Sequence, residues 1–162
     1  MSLLSEAMTE SVWDYPRPPR LEPSSKRVRV TLGGEVIADS TNAHRVLETS
    51  HPPVYYVPFA DVLPGVLEPA RGTTFCEWKG RASYFDVLGG GGRRVERAAW
   101  TYLAPSPAFT GITKAMAFSP GKMDECTLDG ERVEAQPGDF YGGWITSEIV
   151  GPFKGGPGTS GW

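Results

Sequence analysis

Three segments of the chain concentrate side chains able to carry chemistry: Glu48–Asp61, Thr73–Gly80 running into Tyr84, and Ala99–Tyr102. Glu48 and Lys79 are the charged groups that we expect to meet. A carboxylate and an ammonium in a partly apolar site have both proton affinities shifted towards a useful range. Glu48 would then be a general base, with Lys79 or Tyr56 donating to a developing oxyanion. The alternative is a structural Glu–Lys ion pair that joins two loops.

Aromatic side chains are predicted to surround this pair. Residues two apart in a strand face the same side, so Cys76 and Trp78 share one face and Lys79 points to the other. By the same rule, Trp100 and Tyr102 share a face. Large rings on one face build either a core or an apolar cavity, and a few polar groups turn a cavity into a ligand pocket. The predicted ligand-binding residues are Cys76, Trp78, Tyr84, Trp100, Tyr102 and Asp61.

Three further residues have a chemical and a structural interpretation. His51 titrates near neutrality, but it precedes Pro52-Pro53 in a predicted exposed loop with no visible partner. Asp61 either takes part in the site or caps a short turn at 62–67. Cys76 is a nucleophile only if Lys79 lowers its pKa, and is otherwise a small core hydrophobe.

Composition limits the class of protein. The 162 residues carry 16 basic and 19 acidic side chains, a net charge of −3, which argues against a binder of nucleic acid or anionic membranes. No apolar run approaches the roughly 20 residues that a bilayer requires. The first ten residues lack a basic start, so we expect no secretory signal and a cytoplasmic protein. Two cysteines without a Cys-x-x-Cys pair predict neither a disulfide framework nor zinc, and we expect no metal and no cofactor.

Turn chemistry predicts a mainly β fold of short antiparallel hairpins with one or two short helices. Gly33-Gly34 and Asp129-Gly130 interrupt alternating segments and are typical of two-residue hairpin turns. Four glycines, 89–92, also separate alternating segments. No Lys-Ser/Thr follows them, so a turn is favoured over a phosphate-binding loop. The remaining predicted elements are a strand at Ala115–Phe118, helical turns at 61–67 and 107–113 with Ser106 as cap, and a solvated basic face at Arg93, Arg94 and Arg97.

A weak internal repeat suggests how the chain is organised. Val30–Glu35 matches Cys126–Glu131 at four of six positions, Tyr56-Val57 is echoed by Trp144-Ile145, and Trp78-Lys-Gly80 by Phe153-Lys-Gly155. The chain is therefore divided into an extended arm (1–25), a β domain (26–125) and a truncated partial repeat with a tail (126–162). We expect Phe153 or Trp162 of the tail to dock on the domain.

The three segments resemble the bacterial and fungal domain family of unknown function DUF427. The resemblance rests on Val46-Leu-Glu-Thr with Tyr55-Tyr-Val-Pro, on Thr74-Phe-Cys with Lys79-Gly and Tyr84, and on Ala98-Ala-Trp-Thr-Tyr102. It covers about residues 26–121, and Phe140–Thr146 resembles members with a C-terminal extension. It implies a compact β-tent or Mss4-like domain. Relatives of that architecture hold zinc through Cys-x-x-Cys pairs, which this chain lacks. The family is sometimes labelled a nucleotidyltransferase, but the chain has no Gly-Ser followed by paired aspartates.

Three functions remain open from the sequence. The first is an enzyme that acts on a small polar metabolite by proton transfer, without metal. The second is a non-catalytic module whose aromatic cage binds a small flat or cationic ligand, with a cation held by ring faces and Glu48. The third is a structural protein with no ligand.

Overall fold

The computed structural model describes residues 9–138 and 141–162. Residues 1–8 of the predicted arm and Phe140 of the C-terminal motif lie outside the described residues. The described part is 46% strand and 12% helical, with no helix of seven or more residues. Its strands are β1 (Glu10–Ser11), β2 (Arg20–Pro23), β3 (Val28–Leu32), β4 (Glu35–Ser40), β5 (His44–Leu47), β6 (Val54–Pro58), β7 (Leu67–Cys76), β8 (Gly80–Leu88), β9 (Arg94–Thr101), β10 (Ala115–Phe118), β11 (Glu125–Leu128), β12 (Glu131–Arg132), β13 (Glu134–Ala135), β14 (Trp144–Ile145) and β15 (Ile149–Val150). Short 3₁₀ helices cover Val12–Asp14, Phe59–Asp61, Gly90–Gly92, Pro107–Ile112 and Pro120–Lys122.

Two antiparallel sheets organise these strands. The larger has seven strands in the order β2-β5-β6-β10-β9-β8-β7, and the smaller has four in the order β12-β11-β3-β4. Strand β1 pairs with β15 in parallel, and β13 pairs with β14 antiparallel. The prediction of a mainly β fold of antiparallel hairpins is confirmed, whereas the finer likeness to a β-tent or Mss4-like domain stays a prediction.

The larger sheet has two differently covered faces. Tyr55 and Val57 of β6 belong to a core cluster shared with the smaller sheet, whose Val30 and Cys126 are also buried. Tyr56, between them in sequence, belongs to a second cluster. This division follows from the period-two alternation of side chains along a strand. One face of the larger sheet therefore packs on the smaller sheet, and its other face carries the second cluster.

The predicted hairpin turns are confirmed. Gly33 (φ 63°) and Gly34 (φ 76°) join β3 to β4, and Asp129 (φ 48°) with Gly130 (φ 84°) joins β11 to β12. A β-carbon at Gly33 would lie 2.0 Å from the carbonyl oxygen of Gly90. The glycines of the first turn and of the β8–β9 turn are thus in direct contact, so Gly33 has a steric as well as a conformational reason to be glycine.

One predicted helical turn is wrong. The 3₁₀ turn covers Phe59–Asp61, ahead of the predicted segment at 62–67, and β7 begins at Leu67. The second predicted turn occurs as the 3₁₀ helix Pro107–Ile112, although Ser106 makes no side-chain cap bond. A proline at the first helical position suits this start. No helix among the described residues has the length and apolar character needed to cross a bilayer.

The division into arm, domain and extension stays a prediction. Within the arm, β2 pairs with β5 as the outer strand of the larger sheet. Within the extension, β11 pairs with β3. The tail makes contacts of its own, because Phe153 packs against a small cluster of Val12, Tyr15 and Leu47. The rings of Trp13 and Trp162 meet edge to face, with centroids 5.2 Å apart.

Candidate functional site: an aromatic cleft lined by cations

A cleft of about 760 Å³ opens on the face of the larger sheet that carries the second cluster. Strands β6, β8 and β9 supply Tyr56, Tyr84 and Trp100, and the turn between β7 and β8 forms one edge. The loop after β5 and residues of the C-terminal extension complete it. Eight of the residues selected from the sequence line this cleft: Glu48, Tyr56, Cys76, Trp78, Lys79, Tyr84, Trp100 and Tyr102.

Asp61 does not line the cleft. Its carboxylate accepts a hydrogen bond from Ser40 Oγ at 2.5 Å, and its neighbour Val62 bridges to Ala38 of β4. Asp61 therefore lies where the chain crosses to the smaller sheet. Its predicted role in ligand binding is not supported by this position, and neither is its role as a cap for residues 62–67.

Glu48 and Lys79 line the same cleft without pairing. Arg17 Nε lies 3.4 Å from the Glu48 carboxylate, and Arg17 also donates to the carbonyl oxygen of Thr49 at 2.8 Å. Among the described residues, no ion pair within 4.0 Å involves Lys79. The predicted Glu48–Lys79 ion pair is therefore wrong. The segment between the first 3₁₀ helix and β2 runs beside the loop after β5, and its arginine neutralises the carboxylate.

Lys79 faces the cleft together with Cys76 and Trp78, contrary to the prediction of opposite faces. Strand β7 ends at Cys76, and residues 77–79 form the turn to β8. The alternation of a strand does not apply to a turn, so consecutive side chains are free to reach the same space. Cys76 is a free thiol, half-buried at the edge of the cleft.

Two hydrogen-bonded pairs of polar side chains lie on the floor of the cleft. Trp100 Nε1 donates to the Tyr56 hydroxyl at 3.4 Å, and the Thr74 and Tyr84 hydroxyls lie 2.9 Å apart. Burial raises the pKa of Tyr56, which is 1% exposed, and of Tyr102 above their usual range. Both phenols therefore remain hydrogen-bond donors at neutral pH. The predicted shared face of Trp100 and Tyr102 is confirmed, since both belong to the second cluster.

Three cations rest on rings of this cleft. The Lys79 ammonium lies 5.7 Å from the Tyr102 centroid, the Arg97 guanidinium 4.2 Å from Tyr84, and the Lys154 ammonium 5.5 Å from Tyr141. Within the part of the chain that the structure describes, none of the three takes part in an ion pair within 4.0 Å. The cleft thus holds positive charge that no carboxylate of residues 9–138 and 141–162 neutralises at contact distance. Glu48 is paired with Arg17, and Glu77 and Glu96, which also line the cleft, form no ion pair with these three cations.

Arg97 reaches the cleft through an irregularity of the sheet. The pairing of β8 with β9 shifts between Phe85 and Val87, and Arg97 adopts a left-handed backbone with φ 49°. Asp86 holds this bulge, since it accepts from the Arg97 amide at 2.9 Å and from Arg94 at 2.6 Å. The Arg97 guanidinium also donates to the Arg71 carbonyl. A bulge re-aims side chains. Here it brings Arg97 over Tyr84 at the edge of the cleft. Arg93, Arg94 and Arg97 are nevertheless all exposed, as the predicted solvated basic face requires.

His51 has fixed partners, contrary to its predicted exposed position. Its Nδ1 lies 3.0 Å from the carbonyl oxygen of Thr49, and its ring meets Tyr141 edge to face with centroids 4.9 Å apart. Because a carbonyl only accepts, Nδ1 carries the proton and Nε2 is left with a lone pair. Burial, which outweighs the backbone hydrogen bond, lowers the pKa of His51 below its ordinary value. His51 is therefore a neutral imidazole on the wall of the cleft.

The C-terminal extension supplies residues that sequence reasoning missed. Gln136 is buried, accepts from the Gly143 amide at 3.1 Å and donates to the Lys154 carbonyl at 2.8 Å. Tyr141 and Lys154 line the cleft with it. The match of Lys154 to Lys79 in the internal repeat was the available signal for this position. Among the described residues, no group of three or more His, Cys, Asp or Glu side chains could hold a metal ion.

Comparison with known proteins places the chain in a family without assigning it a reaction. The sequence profile of the family described as Domain of unknown function (DUF427) matches residues 20–129. The match covers more than half of the chain and includes the strands that carry Tyr56, Tyr84 and Trp100. It ends before Gln136, Tyr141 and Lys154. A search of curated proteins finds no match.

Proposed function

Since the chain belongs to the DUF427 family of unknown function, we propose from the geometry of the cleft that it binds a small, flat organic anion. The observation that carries this proposal is the set of three cations, Lys79, Arg97 and Lys154, each on a ring and none in an ion pair among the described residues. Cations in a partly buried site favour an anionic partner. The buried phenols of Tyr56 and Tyr102 add neutral donors.

The flat shape of the proposed ligand is inferred from the aromatic walls of the cleft. Trp78, Tyr84 and Trp100 pack in the same partly buried cluster, and the Tyr84 and Trp100 centroids are 6.4 Å apart. Ring walls of this kind favour planar ligands, which stack or meet them edge-on. A few placed polar groups among mostly apolar walls are typical of small-molecule sites.

A cage for a cationic ligand has less support. Lys79, Arg97 and Lys154 already lie against Tyr102, Tyr84 and Tyr141, so a ligand cation would meet like charge there. The Glu48 carboxylate, which such a cage would use, is already paired with Arg17. These contacts therefore favour an anionic ligand over a cationic one.

A matched pair of probes tests the sign of the charge. Benzoate and benzylammonium share a ring and differ in charge, and a ligand that binds only the folded state raises its stability by RT ln(1 + [L]/Kd). We expect benzoate to raise the melting temperature in a thermal-shift assay, with a smaller rise for Lys79→Met, while benzylammonium leaves it unchanged. A rise with benzylammonium alone would exclude the anion site and restore the cation cage.

His51 supports a second candidate, an enzyme that moves a proton of the bound anion. Its lowered pKa leaves the Nε2 lone pair free at neutral pH, whereas the Glu48 carboxylate is paired with Arg17, so His51 takes the place of Glu48 as the candidate general base. Lys79 and Tyr56 remain the donors to a developing oxyanion. The test is to incubate the protein with metabolite mixtures and follow conversion by NMR. If the His51→Gln variant still binds the ligand but no longer converts it, the protein is an enzyme that uses His51. If the unaltered protein binds a ligand without converting it, the protein is a non-catalytic binding module.

We further propose a cytoplasmic location. Both cysteines, Cys76 and Cys126, are free, and free thiols are typical of reducing compartments. Burial raises the pKa of Cys126 to about 12, so that thiol is an inert part of the core. Separating cytosol from membrane and exported fractions with a tagged chain tests the location, and recovery in the exported fraction would contradict it.

A further inference from the structure

The C-terminal extension repeats the arrangement of the matched domain around one side of the cleft. The smaller sheet has the order β12-β11-β3-β4, and its central pair joins Val30 to Cys126, the first residues of the two matching sequence segments. The β3–β4 and β11–β12 hairpins thus flank a local two-fold axis. Both turns use left-handed backbone at two consecutive positions, Gly33-Gly34 and Asp129-Gly130.

The correspondence continues after the hairpins. In the first copy β5 pairs antiparallel with β6, and in the second β13 pairs antiparallel with β14. Gln136 precedes Trp144 by eight positions, as Glu48 precedes Tyr56. Glu48, Tyr56 and Gln136 all line the cleft, whereas Trp144 is buried in the main core. The second copy is shorter, but it places a polar side chain at the position corresponding to Glu48.

The lysines complete the correspondence. Lys79 and Lys154 occupy matching positions in Trp78-Lys-Gly80 and Phe153-Lys-Gly155, and both line the one cleft. Each is half-buried, each rests on a tyrosine of its own side, and neither is ion-paired within the described residues. Lys26, by contrast, is half-buried and bound to the Glu148 carboxylate. Lys79 and Lys154 therefore provide two separate positions in one cleft at which an anionic group can bind.

We infer that the ligand carries two anionic groups, one for Lys79 and one for Lys154, and that the extension adds the second anion subsite to the family's domain. This inference rests on the proposed function. Lys154 lies outside the residues matched by the family profile, 20–129. The second subsite is therefore a property of the extension, and it selects dianions over monoanions that the first subsite alone would hold.

The experiment compares benzoate with the three benzene dicarboxylates, which keep the ring and vary the spacing of a second carboxylate. Isothermal titration calorimetry on the full chain gives their affinities. The tightest dicarboxylate is expected to bind at least about tenfold more tightly than benzoate, since a further charged hydrogen bond is worth at least about 1.4 kcal/mol. Lys79→Met and Lys154→Met should each reduce its affinity to about that of benzoate. Lys114→Met, an exposed lysine outside the cleft, is the matched control.

Two results would overturn the inference and leave the proposed function intact: dicarboxylates that bind no more tightly than benzoate, or a Lys154→Met variant that keeps full dicarboxylate affinity. If neither benzoate nor any dicarboxylate binds, the proposed function fails and the inference fails with it. Lys79→Gln and Lys154→Gln repeat the comparison with a second side chain, and circular dichroism verifies the folding of each variant.

Discussion

Arg97 offers a way to separate the stability of the cleft from its binding of anions. Its backbone is left-handed, with φ 49°, which costs a non-glycine residue about 1–2 kcal/mol. Glycine avoids that cost but gives up about 0.5–1 kcal/mol of chain entropy on folding. Replacing Arg97 by glycine or by alanine removes the same side-chain contacts, so only the backbone term distinguishes the two variants.

The magnitudes follow from the contacts of Arg97. Both variants lose the contact with Tyr84 and the hydrogen bond to the Arg71 carbonyl. At this exposed site these are worth about 0.5–1 and about 1 kcal/mol. Arg97→Ala should therefore lower the free energy of unfolding by about 2 kcal/mol. Arg97→Gly recovers part of that loss and should be the more stable variant by about 0.5–1 kcal/mol.

Binding should respond differently. Both variants remove the same guanidinium from the cleft, so benzoate affinity should fall about tenfold in each, equivalent to about 1.4 kcal/mol. Urea denaturation gives the free energy of unfolding and isothermal titration calorimetry gives the affinity. An alanine variant as stable as the glycine variant would refute the left-handed bulge. Unchanged benzoate affinity in both would refute the role of Arg97 in anion binding.

Three further predictions concern the fold around the cleft. Gly33→Ala should lose at least about 2 kcal/mol more stability in urea denaturation than Gly34→Ala, because both have positive φ but only Gly33 contacts Gly90; equal losses would exclude that contact. At pH values between the lowered pKa of His51 and its ordinary pKa of 6.5, the unfolded state binds more protons than the folded state. The free energy of unfolding should therefore fall as the pH falls through this range. A His51→Gln variant with the same pH dependence would show that His51 is not the cause. Phe153→Ala should lower the free energy of unfolding by about 1–3 kcal/mol because Phe153 packs on Val12, Tyr15 and Leu47; a loss no larger than that of Val150→Ala, which is half-exposed, would contradict the docking of the tail.

Local chemistry explains which parts of the fold were predictable. Gly33-Gly34 and Asp129-Gly130 specify their turns through their own backbone preferences, and alternation on either side specifies the strands. The same rule placed Trp100 and Tyr102 on one face correctly. It failed for Lys79, because the strand ends at Cys76 and the last residues of the motif belong to a turn. The local sequence pattern does not indicate that β7 ends at Cys76.

The candidate site depends on contacts between distant parts of the chain, and the alternation of side chains along a strand does not predict such contacts. Arg17 neutralises Glu48, Tyr141 packs on His51, and Lys154 enters the cleft from the extension. Arg97 reaches the cleft only because the Asp86 carboxylate stabilises a β-bulge, and no local sequence pattern predicts this bulge. Eight of the residues lining the cleft, including five of its rings, were therefore predictable, whereas their charge partners were not.

The most direct test of the anion-binding cleft uses the five tryptophans of the chain as reporters. Trp78 and Trp100 line the cleft, whereas Trp13 and Trp162 contact each other outside it and Trp144 lies in the main core. A titration with benzoate, followed through the indole N–H resonances in a nitrogen–proton correlation spectrum, should shift the signals of Trp78 and Trp100 along a saturating curve and leave the other three in place. If the signals of Trp78 and Trp100 stay fixed, or if all five move together, the cleft is not the anion site.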